Sequence, residues 1–414
     1  MRVLIYSANF APEKTGIGKY SGDMAAWLVE QGHEVRVVAA PPYYPQWKVD
    51  PAYATRPYRR EQWRGVSVFR APLWVPACPS GLKRILHLMS FAISSFPVML
   101  RQISWRPEVT VAIAPALMCA PAALLVARLC GGRAWLHIQD FEIDCAFELG
   151  LLKGRLLRRL VLWLERALLL GFDNVSTISK RMLERLVKKG VPLERLRFFP
   201  NWVDIAHVKP LATTSSYRKE LGIAADAVVV LFSGTLGRKQ GLMVIPGVAA
   251  RVSDRSDVVF VVCGDGVMKD ALATAADKLP NVRMIPLQPF ERLGDLLGMA
   301  DIHLLPQSPL AADLVLPSKL SGMLASGRPV VATCNAGTEL DSVVSECGAV
   351  VPPEDERALT DIIVKLADDP EMRGELGRKA RAYAECNFER DAVLRKIFSP
   401  LEGHEATMTH DVAA

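Results

Sequence analysis

The first forty residues, MRVLIYSANFAPEKTGIGKYSGDMAAWLVEQGHEVRVVAA (1–40), decide the fold class. The apolar run Arg2–Ser7 predicts a buried strand, and Tyr20–Gln31 carries apolar residues at helical spacing. Gly32 supplies a turn, and Glu34–Ala40 predicts a second strand. The same alternation continues along the chain. Further strands are predicted at Val66–Ala71, Val109–Ala114, Ala134–Ile138, Asn174–Thr177 and Arg195–Phe199. The pattern restarts at Ala227–Ser233, then Val258–Cys263, Val282–Ile285, Ile302–Leu305, Pro329–Ala332 and Ala349–Val351, with helices such as Leu293–Ala300 and Lys319–Ala325 between them. Strands alternating with helices imply parallel sheets covered by helices on both faces. At 414 residues the chain exceeds one ordinary core, and the polar, proline-containing HVKPLATTSS (207–216) marks the break. The expectation is an α/β protein of two doubly wound domains with a cleft between them, and ligands at the carboxyl ends of strands.

Composition narrows the partners. Half the residues are hydrophobic, 23% are charged, and the formal charge is +6. That mild basicity suits an anionic ligand or membrane face and gives little support to nucleic acid. Eight cysteines (78, 119, 130, 145, 263, 334, 347, 386) include no C-x-x-C pair, which argues against zinc or a disulfide framework and for a reducing compartment. The opening residues lack a signal-peptide h-region, so the expected location is the cytoplasm. Leu86–Leu100 is apolar, but too short and interrupted by Pro97 to span a bilayer. Lys153–Leu170 reads as a basic amphipathic helix. Arg155, Arg158, Arg159 and Arg166 lie on one side, Leu156, Leu157, Leu160, Val161, Leu164 and Leu168 on the other, and Trp163 at the boundary. Such a helix either lies in a headgroup layer or covers the sheet with its arginines solvated.

Strand-end loops carry the candidate chemistry. Gly16, Gly18 and Gly22 are spaced G-x-G-x-x-x-G, which departs from the dinucleotide fingerprint, and no acid ends the next strand to hold a ribose. Lys19 is not placed for a Walker A loop. The stretch 14–19 is therefore an anion cradle or a plain turn. After Ala134–Ile138 come Gln139, Asp140, Glu142 and Asp144, where a carboxylate could orient a hydroxyl or accept its proton. Their spacing lacks the glycine and length of a calcium loop. In the second half, SGTLGRKQG (233–241) offers Gly234 and Gly237 for close approach, with Arg238 and Lys239 to neutralise a diphosphate. CGDG brings Gly264 and Gly266, and PSKL places Pro317 and Ser318 at a helix start, with Lys319 in its first turn and Gly327 after its end. Together these three loops point to a phosphorylated, nucleotide-type ligand on the second domain.

The motifs TGIG, HIQD, FFPNWVD, SGTLGRKQG, CGDG and PSKLSGMLASGRPVV resemble glycosyltransferase family 4, the retaining GT-B enzymes, from Met1 to about Phe398. The blocks APPYYPQW and LHIQDFEID resemble the branch of that family with fucosaminyltransferases and enzymes of colanic-acid-like exopolysaccharide assembly. The resemblance implies two Rossmann-like doubly wound domains facing a central cleft: 1–206 for the acceptor and 207–384 for the nucleotide sugar. Residues 385–400 would form a helix crossing back to the first domain, and 401–414 a flexible tail. It also implies transfer with retention, without a metal or other cofactor, from a GDP-sugar in preference to a UDP-sugar, fucose first. The acceptor would be a polyprenyl-diphosphate-linked saccharide at the inner face of the cytoplasmic membrane. Gly16 and Gly18 would lie at the donor diphosphate or on the acceptor side. Asp140 would orient or deprotonate the acceptor, with His137 the other candidate, since Gln139 stands where many members carry histidine. Gly234, Arg238, Lys239, Gly264, Gly266, Ser318, Lys319 and Glu339 would hold the donor. Thr235 replaces a common arginine. In the paired-glutamate motif, Gly322 stands at the ribose-gripping position and Leu314 near the first, with Asp313 a possible substitute. A sugar-nucleotide epimerase of the same fold and a non-catalytic scaffold of an assembly complex are the alternatives.

Overall fold

The computed structural model describes residues 1–13, 16–77, 81–114, 117–141, 143, 154–309 and 316–402, apart from the side chains of Arg155 and Glu402. The chain divides into two units, Met1–Pro200 with Asp391–Ala414, and Asn201–Arg390.

The first unit is built on strands β1 (Arg2–Ser7), β2 (Glu34–Ala39), β3 (Arg59–Trp63), β4 (Val66–Arg70), β5 (Val109–Ala114), β6 (Arg133–Ile138), β7 (Asn174–Thr177) and β8 (Leu196–Phe198). Their order is β3-β4-β2-β1-β5-β6-β7-β8. Every pairing is parallel except β3 with β4. Val3, Leu4, Ile5 and Tyr6 are wholly buried, as a central strand covered on both faces requires. The second unit has β9 (Val228–Ser233), β10 (Val258–Cys263), β11 (Val282–Ile285), β12 (Ile302–Pro306), β13 (Val330–Thr333) and β14 (Gly348–Val351), ordered β11-β10-β9-β12-β13-β14 and all parallel. Alternate residues of β9 feed two separate cores: Val229 and Leu231 on one face, Val228, Val230 and Phe232 on the other. That is why its sequence reads as an unbroken apolar run.

Three local differences from the sequence expectations have physical causes. The first helix is Gly16–Glu30, so Gly16 and Gly18 form its opening turn and not a loop ahead of Tyr20. Strand β3 (RREQW) has no apolar run to announce it. It forms because Arg64 (φ 45) and Gly65 (φ 79) make a two-residue hairpin turn, and because Arg70 is buried and pairs with Glu61 at 2.8 Å. The polar stretch 207–216 does not open the second unit, whose first residue is Asn201. Val203 N donates to Phe388 O (2.8 Å), and Arg381 donates to Val208 O (2.8 Å) and Ile205 O (3.2 Å), which ties residues 203–208 into that unit. At the other end the helix Pro370–Asn387 stays with the second unit. The helix Arg390–Phe398 belongs mostly to the first, where Phe398 packs against Trp27, Trp135 and Phe199. Residues 403–414 lie outside the described residues.

Candidate active site

In the second unit the loops after β9, β10, β12 and β13 are laced together at the carboxyl end of the sheet. Gly234 N donates to Cys263 O (2.9 Å), Leu236 N to Asp265 O (2.8 Å) and Met268 N to Leu236 O (3.0 Å). Gly234 takes φ 133°, a conformation reserved for glycine, and a side chain on Gly264 would land on the Gly234 carbonyl oxygen. Gly266 follows in the same turn. Arg238 and Lys239 sit exposed on a short 3₁₀ turn, which Ser308 N fastens by donating to Lys239 O (3.0 Å). Asn335 Nδ2 donates to Pro309 O (3.3 Å), joining the loop that leads to Glu339. Glu339 opens the helix Glu339–Cys347, whose start is capped by Thr338.

Lys319 immediately precedes the helix Leu320–Ala325, and Ser318 beside it is exposed. Its stem runs past Gly234, where a Cβ would lie 3.3 Å from Lys319 Cδ. Its ammonium is 3.8 Å from the centroid of the Phe232 ring. Nζ has no contact with solvent and no hydrogen-bond partner among the described residues. Desolvation pulls its pKa from 10.5 down to about 7. A buried ammonium without an acceptor is costly unless an anion arrives to take its protons. Gly322 lies on the following helix, where a Cβ would meet Leu297 Cδ1 at 3.3 Å; Asp313 and Leu314 lie outside the described residues.

The first unit treats its glycines differently. Glu13, which the sequence did not single out, is buried beneath the opening turn of the helix Gly16–Glu30. A Cβ on Gly18 would come within 2.6 Å of Glu13 Cβ, so Gly18 makes room for this carboxylate. Glu13 Oε1 accepts from Tyr43 N (3.1 Å) and Tyr44 N (3.0 Å), and Oε2 from Asn9 Nδ2 (3.0 Å). Burial nevertheless raises its pKa above the ordinary carboxylate value. Gly16, with φ 59°, faces Tyr44. The block APPYYPQW thus binds the loop after β1 through two backbone amides and the Tyr43 hydroxyl, which donates to Asn9 Oδ1 (3.3 Å).

At the end of β6, Asp140 is half-buried and lines a small pocket with Phe141, Glu165 and Leu169. Glu165 is itself paired with Lys189 at 2.7 Å. Glu142 and Asp144 lie outside the described residues. His137 requires a correction. It is buried, packs 4.6 Å from Phe199 between ring centroids, and shares Ser176 Oγ at 2.9 Å with Trp135. Burial lowers its pKa to about 3, so the imidazole is neutral and belongs to the core. Its place on a strand facing Ser176, two positions before the loop, gave no local sign of that burial.

Residues 15–202 match the glycosyl transferase 4-like domain and residues 213–383 the glycosyl transferases group 1 domain. A protein of Escherichia coli (strain K12) named for colanic acid biosynthesis, the glycosyl transferase WcaI, is 41% identical over 97% of this chain and 100% of its own length. The chain belongs to the GT-B glycosyltransferases. Among solved structures, the fold of this glycosyltransferase is shared by the sucrose-phosphate synthase of Thermosynechococcus elongatus (TM-score 0.74, 16% identity, 97% of this chain and 98% of that one). It is shared too by Anabaena HepE in complex with UDP and glucose (TM-score 0.69, 16% identity, 97% and 100%). A GDP-mannose-dependent mannosyltransferase of Corynebacterium glutamicum is 24% identical over 56% of this chain and 62% of its own. Within the glycosyltransferase, the glycines expected at the donor divide by role. Gly234, Gly264 and Gly266 shape the turn beside Lys319, whereas Gly18 accommodates Glu13.

Proposed function

We propose that this glycosyltransferase moves a sugar from a nucleotide-diphosphate donor to a polyprenyl-diphosphate-linked saccharide in colanic-acid-like exopolysaccharide assembly. It works as a peripheral protein at the inner face of the cytoplasmic membrane. The observation that carries the donor assignment is the buried Lys319 ammonium beside the Gly234 turn, which has no hydrogen-bond partner among the described residues. It lies on a loop crown that also presents Arg238, Lys239 and Ser318. In this proposal the donor's anomeric C–O bond to the diphosphate breaks as the acceptor oxygen bonds on the same face. Lys319 and Lys239 offset the charge that grows on the departing diphosphate, and no metal is required. The acceptor proton passes to a diphosphate oxygen while Asp140 orients the acceptor hydroxyl. The relative named for colanic acid biosynthesis supports the pathway class, and the GDP-mannose-dependent relative supports a GDP-sugar, with fucose the first sugar to test. Purified protein, a panel of GDP- and UDP-sugars and a polyprenyl-diphosphate saccharide should give a lengthened glycolipid. Turnover of the sugar nucleotide without acceptor would instead identify an epimerase.

A further inference from the structure

Helices normally present polar residues to water. Three helices of the first unit also expose large apolar residues. The helix Gly81–Gln102 buries His87, Phe91, Ser95, Val98 and Met99 on one face. On its opposite face Leu82, Leu86, Met89, Ile93, Phe96 and Leu100 recur at steps of three and four residues, and all are exposed, Leu82 and Ile93 by two thirds. This stripe runs about 27 Å at 1.5 Å per residue. No Asp, Glu, Lys or Arg occurs between Arg84 and Arg101. Beside it packs the helix Ala120–Cys130, which exposes Leu125 and Leu129, and beside that the helix Arg155–Gly171. Arg128 Nη2 donates to Gly171 O (2.8 Å), which fixes these last two together. Of the apolar side read as either sheet cover or headgroup contact, much is turned outward: Leu156 is 82% exposed and Trp163 64%, with Leu160 and Leu164 also exposed, while Val161 and Leu168 are half-buried.

Charge identifies what covers this face. The helices Gly81–Gln102 and Ala120–Cys130 contain no Asp or Glu, and the helix Arg155–Gly171 contains one, Glu165, buried against Lys189. Lys83, Arg84, Arg101, Arg159 and Arg166 are exposed around the apolar positions. Two aromatics border the stripe: Tyr58, whose hydroxyl donates to Ser94 O (3.0 Å), and the exposed Trp74, whose backbone N–H donates to Ser90 Oγ (2.8 Å). Apolar surface ringed by arginine, tyrosine and tryptophan matches the boundary between acyl chains and anionic headgroups. No helix among the described residues is long and apolar enough to cross a membrane.

We infer that these three helices form a platform that lies in the surface of an anionic bilayer, with Gly81–Gln102 as its main anchor and Arg155–Gly171 as its basic edge. The inference deepens the proposed membrane location and rests on that reading for its biological meaning, but it can be tested without any sugar substrate. The full chain should sediment with vesicles of phosphatidylcholine containing about a third phosphatidylglycerol, and much less with phosphatidylcholine alone. The triple variant Leu86→Ser, Ile93→Ser, Phe96→Ser should bind the anionic vesicles roughly tenfold or more weakly, with unchanged thermal denaturation and nucleotide affinity. Because the changed residues are exposed, folding should survive. If it does not, Leu156→Ser, Leu160→Ser, Trp163→Ser on the separate helix applies the same test. Lys83→Gln with Arg159→Gln should reduce binding to anionic vesicles only. Wild-type protein that ignores anionic vesicles, or folded variants that bind them as well as wild type, would overturn the platform. So would a concentration-dependent dimer in sedimentation equilibrium that the triple variant dissolves, because a second copy would then be the occupant.

Discussion

Each unit places glycines just after its first strand, yet the two loops are finished in opposite ways. Beyond β1 the space over Gly18 is filled by the Glu13 carboxylate, which accepts from two backbone amides and the Asn9 side chain. Beyond β9 the space at Gly234 borders the Lys319 ammonium, which has no acceptor among the described residues. The first loop is closed by the protein's own carboxylate, whereas the second presents a buried ammonium with no such acceptor among the described residues. Similar sequence punctuation therefore serves architecture in one unit and, in the proposed function, ligand binding in the other, with the charge of the neighbouring buried group as the difference between them.

The largest effect should come from Glu13→Ala. It deprives three donors of their acceptor and should cost roughly 3–9 kcal/mol in denaturant unfolding, at about 1–3 per orphaned group. Nucleotide affinity should stay at the wild-type value; an equal loss of both would break the comparison. Because burial raises the Glu13 pKa, the folded protein holds that proton more tightly than the unfolded chain does. Its contribution is full below the ordinary carboxylate pKa and is lost as pH rises through the raised one. Glu13→Gln should remove that slope.

Lys319→Met should weaken nucleotide-diphosphate binding by roughly 1.5–3 kcal/mol, about 10- to 150-fold in calorimetry. It should also stabilise the free protein near neutrality. The folded pKa of about 7 lies below the ordinary 10.5, so between those values the unfolded chain binds more protons and wild-type stability climbs with pH. The methionine variant should lack that climb and be the more stable protein at the lower end of the window. A destabilised Lys319→Met would mean that the ammonium already has a partner.

Gly234→Ala forces a residue with a side chain to φ 133° and presses it toward Lys319 Cδ, for an expected loss of about 1–3 kcal/mol shared between stability and donor affinity. Smallest is His137→Phe. It loses the bond to Ser176, about 1 kcal/mol of stability, and leaves the pH–rate profile unchanged across about pH 5–9. Disappearance of a limb in that profile would restore His137 as a base.

Most strands were legible because a sheet buried on both faces demands continuous apolar runs such as VVVLFS, which occupies β9. RREQW was not, since its pairing depends on the turn at Arg64–Gly65 and on a buried arginine. The loops proposed for the donor were legible as glycine–basic clusters, but nothing local distinguishes the exposed Lys239 from Lys319, whose ammonium is buried against Phe232 of β9. Glu13 escaped for the same reason. Its partners, the backbone amides of Tyr43 and Tyr44, lie thirty residues later and carry no side-chain signature of that contact.

The central claim, that the second unit keeps a buried amine in wait for a diphosphate, is tested most directly by proton uptake on binding. GDP and UDP would each be titrated calorimetrically into the full chain at about pH 8, in two buffers of different ionisation enthalpy. Lys319, with its pKa near 7, is then mostly neutral, and a bound diphosphate should draw about one proton from the buffer as it raises that pKa. Affinity should fall as pH rises further, and Lys319→Met should bind weakly with no buffer dependence. Binding of neither nucleotide, or tight binding with no proton taken up and no loss in Lys319→Met, would contradict the account.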